Sequence, residues 1–117
     1  MEEKLIGLET AKLAKEKGFD WDVFYWWGER GYIGDFEIRS CSTGNINKHK
    51  DAYSAPTQSL LQKWLRENHE IHISVDNLSQ SCYRVNVTIN GNIKYAFEFT
   101  SYEKALEQGL IEALKLI

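Results

Sequence analysis

One proline, two cysteines and no apolar run near the ~18 residues of a membrane-spanning helix mark this chain by what it lacks. With 43% hydrophobic and 26% charged residues, so little proline reads as a soluble globular chain, neither disordered nor fibrous. Cys41 and Cys82 belong to no CxxC pair. The start, Met1, Glu2, Glu3, Lys4, has none of the basic and apolar character of an export signal. Reduced thiols and a cytoplasmic location are the expectation. Basic surplus is missing too: the net charge of −3 argues against non-specific nucleic-acid binding, which needs cations to displace counterions. There is no GxSxG, no HExxH and no phosphate-binding glycine loop, since no helix follows Gly28, Gly31 and Gly34.

What the chain does have is alternation. Over residues 71–99 a period of two puts Ile71, Ile73, Val75, Tyr83, Val85, Val87, Ile89, Ile93, Tyr95, Phe97 and Phe99 on one face. His72, Asp76, Arg84, Asn86, Thr88, Lys94 and Glu98 fall on the other. This predicts a three-stranded antiparallel sheet with one dry and one polar face. At Asn90, Gly91 and Asn92, a two-residue turn would set core residues opposite polar ones. A three-residue loop pairs Ile89 with Ile93, Val87 with Tyr95, Val85 with Phe97 and Tyr83 with Phe99, with Asn92 left-handed.

Helical patterns flank the strands. Residues 2–17 carry acids first, Lys15 and Lys17 last, and Gly18 as a cap. Pro56 at a first helical position opens a second helix whose buried face is Leu60, Leu61, Trp64 and Leu65. Thr100 and Glu103 form a capping box for a third, burying Tyr102, Leu106, Leu110, Ala113, Leu114 and Ile117. Gly109 beside that stripe predicts a close approach to the sheet.

Residues 19–38 hold eight aromatics, and a turn at 28–31 pairs Trp27 with Tyr32, Tyr25 with Gly34, Val23 with Phe36 and Trp21 with Ile38. The polar residues 40–55, with Lys48, His49 and Lys50, read as a long loop, a kind of segment that is often functional. The whole, residues 1–117, reads as one α+β domain: antiparallel strands, including an N-terminal hairpin, with helices packed on one face.

Residues 54–67 (SAPTQSLLQKWLRE), 69–73 (HEIHI), 102–107 (YEKALE) and 113–117 (ALKLI) resemble a family of small uncharacterised proteins. That family occurs in phages, prophages and mobile elements of gut Bacteroidetes bacteria. Residues 11–19 (AKLAKEKGF) are similar to its N-terminal portion. The resemblance implies a shared scaffold and carries no assigned activity. Trp26 and Trp27 depart from the family's tyrosine-rich, acidic loop, which makes any binding there particular to this chain.

Chemistry-bearing residues are sparse. His69 and His72, with Asp76, Cys41, Cys82 or His49, are the only metal-donor set to weigh, and their spacing fixes no geometry. Cys41 would need His49 or His72 as a base, and Asp20 and Asp22 suit a turn better than an acid–base pair. We therefore assign no catalytic residue, no cofactor and no metal. Binding is the better reading. Trp26, Trp27, Arg30 and Tyr32 in the aromatic turn, with Lys48, His49 and Lys50 in the loop, form the candidate site for a protein partner. Nucleic acid stacked on the same patch is the alternative. No membrane partner is expected, and the short open sheet offers an edge for self-association.

Overall fold

The chain order is α1 (Leu8–Glu16), β1 (Val23–Glu29), β2 (Phe36–Gly44), a 3-10 turn (Ile46–Lys48), β3 (Tyr53–Ser54), α2 (Gln58–His69), β4 (Ile71–Ser79), β5 (Cys82–Ile89), β6 (Asn92–Phe99) and α3 (Tyr102–Lys115). The computed structural model describes residues 4–31 and 34–117, so Tyr32 and its expected pairing lie outside the described residues. Among the described residues, three α-helices and two antiparallel sheets make an α+β fold. One sheet has the order β4-β5-β6. The hairpin forms the other, of order β2-β1-β3.

The C-terminal sheet keeps its dry face on β4 and β5, while on β6 Phe97, expected on that face, is 60% exposed. Ile71, Ile73, Val85 and Val87 are buried, with Leu106, Leu110, Ala113 and Leu114 of α3 and Leu61, Trp64 and Leu65 of α2 in the same cluster. Gly109 is where α3 meets this sheet, and Val85 and Ile73 occupy the space a side chain would need.

The β5–β6 turn corrects the three-residue loop. Asn90 and Gly91 have φ of 53° and 80°, so the turn has two residues and pairs Ile89 with Asn92. Asn92 is not left-handed. An irregularity between Val87 and Thr88, with Lys94 as the extra residue, then restores Val87 opposite Tyr95, Val85 opposite Phe97 and Tyr83 opposite Phe99. A bulge adds one residue to one strand, so the primed turn that twists correctly and the register that keeps the face dry coexist. Ile93 is the loser. It stands opposite Thr88 and is 63% exposed.

The helix starts need three further corrections. α1 begins at Leu8, because residues 4–6 run extended beside the chain entering α2: Ile6 N–H donates to Pro56 O (3.0 Å) and Gln58 N–H to Lys4 O (2.9 Å). Its end is as expected: Gly18 at φ 94° lets Gly18 N–H reach Lys15 O and Phe19 N–H reach Ala14 O, a Schellman cap. α2 starts after Thr57, whose hydroxyl accepts from Leu60 N–H at 3.2 Å, and Pro56 lies outside it. α3 is capped by Ser101, not Thr100, through Lys104 N–H at 3.2 Å. Tyr102 and Ile117, expected to be buried, are exposed at the two ends of α3, and Tyr102 meets the sheet edge-on at Tyr83 of β5, with ring centroids 6.3 Å apart.

The hairpin register is also corrected. Trp27 pairs with Ile38, Trp26 with Arg39 and Tyr25 with Ser40. The strand therefore runs on through residues 40–44, which read as loop in the sequence. Their polar side chains carry no strand signal, while cross-strand hydrogen bonding needs only the backbone. This register sends Val23 into the core, with Trp27 packed against it.

Candidate binding groove

The face of β1 and β2 turned from the core carries Phe24, Trp26, Glu37, Arg39 and Cys41 by strand alternation. Residues 46–52 fold over part of this face. Between them lies a groove of about 850 Å³ lined by Trp26, Glu29, Arg39, Cys41, Ile46 and residues 49–52, among others.

Trp26 forms its aromatic wall. The Arg39 guanidinium sits 5.6 Å from its ring centroid, a cation–π contact. Arg39 is further held by the Glu29 carbonyl at 2.8 Å and the Glu37 carboxylate at 3.0 Å. Gly28 makes the indole's position available. A Cβ there would lie 2.6 Å from Trp26 Cζ3 and 3.2 Å from Arg39 Nε, so only glycine lets both groups lie down over the strand.

The opposite wall is held from behind. Lys15 Nζ of α1 donates to the carbonyls of His49, Lys50 (3.0 Å) and Ala52 (2.8 Å), and faces the Tyr53 ring at 4.9 Å. Burial lowers the Lys15 pKa below the usual lysine value, opposed by nearby Asp51. Asn47 adds a second tie: its amide donates to Phe19 O (2.9 Å) and accepts from Ser54 N–H (2.7 Å). These bonds join an otherwise patternless segment to α1 and β3.

Of the residues expected to bind, Trp26, His49 and Lys50 come together here. Trp27 does not. Its indole packs against the core and donates to Ile6 O at 3.2 Å. Arg30 lies in the β1–β2 connection, facing Asp35 (3.9 Å) and Glu37 (3.7 Å). Lys48 is exposed and does not line the groove. Sequence reading missed Arg39, Glu29 and Asp51. Extending the strand alternation past Ile38 would have put Arg39 on the Trp26 face.

Other candidate chemistry disperses. Cys41 lines the groove with His49, yet its thiol donates to Val23 O at 3.3 Å, a peptide carbonyl too weakly basic to deprotonate it. His69 rests edge-on against Trp64, with centroids 4.8 Å apart, and His72 is exposed opposite Thr88. Asp76 accepts from Asn86 and Cys82 donates to Glu98. Among the described residues no three His, Cys, Asp or Glu side chains gather to hold a metal, and no helix is long and apolar enough to cross a membrane. Comparison with family models, curated proteins and solved structures gives no match.

Proposed function

We propose that the chain is a non-catalytic protein-interaction module, an accessory protein of the phage and mobile-element kind that its sequence resembles. The groove takes up a short segment of a partner protein. The observation that carries this is the Trp26–Arg39 pair set against the Lys15-held wall. It combines a fixed aromatic, a fixed guanidinium and backbone groups in one concave site, the makings of an interaction hot spot. The charge lining it is balanced, with Glu29 and Asp51 against Arg39 and Lys50, and Arg39 is already neutralised by Glu37. A polyanion gains little from such a surface. This favours a protein partner over nucleic acid.

The test is selection of a displayed peptide library on the immobilised protein, followed by titration of the recovered peptides. We expect peptides whose affinity varies little with salt, is lost in Trp26→Ala and survives in Lys48→Ala. Failure to recover any groove-dependent peptide overturns the proposal. So does steeply salt-dependent binding of single-stranded DNA that disappears in the Lys48→Ala/Lys50→Ala variant, because that outcome transfers the patch to nucleic acid.

A further inference from the structure

We infer that the free edge of β6 is a self-association surface, on which a second copy of this chain adds its own β6 antiparallel to make a continuous six-stranded sheet. β6 and β4 are the two edges of the C-terminal sheet. The β4 edge is obstructed: Gln62 of α2 donates to the Ile73 carbonyl at 2.6 Å. On β6, by contrast, Phe97 is 60% exposed although it belongs to the dry face, while its neighbours Tyr95 and Phe99 pack against the core. Its ring lies 5.4 Å from Phe99 and 6.5 Å from Tyr95, which extends the apolar surface along the edge strand. Exposed apolar edges of this kind template strand addition.

The strand's own sequence selects the partner. A two-fold axis normal to the sheet keeps the helix-bearing faces together and must pass beside a residue that meets its own copy. Centred on Ala96, it brings the bulged Lys94, through its long side chain, to the second copy's Glu98, and Glu98 to its Lys94. The small Ala96 meets itself between these pairs. On the other face Tyr95 meets Phe97 twice, and the exposed Phe97 ring gains an aromatic neighbour. Centring on Lys94 or Glu98 opposes like charges. Centring on Tyr95 or Phe97 leaves Lys94 facing an uncharged residue. Only one register satisfies both faces. Lys94 makes no ion pair among the described residues, while Glu98 accepts from the Cys82 thiol at 3.2 Å and reaches Arg84 at a loose 3.5 Å. The surface lies on the other sheet from the groove and shares no residue with it.

Sedimentation velocity across a concentration series tests this, with far-UV circular dichroism confirming that each variant is folded. The wild-type chain should sediment as a concentration-dependent dimer. Lys94→Glu should be monomeric, since carboxylates then oppose each other. The double swap Lys94→Glu/Glu98→Lys should recover the dimer. Phe97→Ser should weaken it at least tenfold, whereas Phe24→Ser, at the 63% exposed aromatic of the other sheet, should leave it unchanged. A wild-type monomer at high micromolar concentration overturns the inference. A dimer indifferent to Lys94→Glu and Phe97→Ser does so equally.

Discussion

A methyl group on Gly109 would lie 2.5 Å from Cγ2 of Val85, so α3 rests on the central strand of the C-terminal sheet with backbone nearly touching side chain. The same methyl would come within 3.1 Å of Ile73 Cγ2. Val85 is fully buried and Ile73 nearly so. Both are β-branched and stiff at χ1, so neither yields easily.

Gly109→Ala should therefore destabilise the protein. Helix propensity favours alanine by ~1 kcal/mol. Overpacking a closed core costs ~1–3 kcal/mol. Urea denaturation should show a lower midpoint, and a raised midpoint would mean that α3 stands further from the sheet.

Glu107 supplies what α1 lacks. Gly7, at the start of that helix, has no side chain with which to cap it. Oε2 of Glu107 accepts from Gly7 N–H (2.9 Å) and from the Thr10 hydroxyl, while Oε1 accepts from Gln58 (2.9 Å). A carboxylate is also the charge that the N-terminal end of a helix favours. Glu107→Ala takes this acceptor from Gly7 N–H and from the buried Thr10 hydroxyl, while Gln58 keeps its bond to Glu103 O, and should cost ~1–3 kcal/mol in equilibrium unfolding. A variant as stable as wild type would show that water replaces the carboxylate in full.

Lys15→Ala should loosen the groove more than it weakens the fold. Three carbonyls lose their donor, and net losses of ~1 kcal/mol per bond fall on residues 49–52 at the surface. Hydrogen exchange should accelerate there while α2 and β5 keep their protection. Uniform acceleration across the chain would instead place Lys15 among the determinants of global stability.

Cys82 should react slowly with alkylating reagents. Its thiol pKa is raised, chiefly by the hydrogen bond to Glu98 (3.2 Å) with some desolvation, and Ser79 and Arg84 oppose the shift. A raised pKa means less thiolate at a given pH, and thiolate is the nucleophile. Alkylation in a Cys41→Ser background should speed up as pH rises, with its midpoint above that of a free cysteine. Glu98→Gln removes the charge that disfavours thiolate and should shift the profile to lower pH. An unchanged profile would assign the effect to something other than Glu98.

Much of this architecture was legible in the chain. A period of two over residues 71–99 can bury one face only as a sheet, and helices with the matching stripe must cover it. The pairing of Val87 with Tyr95 and the role of Gly109 follow from that same constraint. The turn at Asn90 and Gly91 escaped because a bulge at Lys94 allows the preferred turn and the dry face at once, and nothing local announces a bulge. Trp26 and His49 were visible as members of one binding site, yet Arg39, which completes it, was not.

The sequence by itself determined which surfaces had to be buried, since apolar periodicity is a local property that each segment carries with it. Tertiary structure alone decided the groove. The side of Trp26 that faces out depends on which residue of β2 stands opposite it. The wall of residues 49–52 depends on an ammonium more than thirty residues earlier. Hydrogen bonds and charges across such separations exist only after the core has brought their partners together.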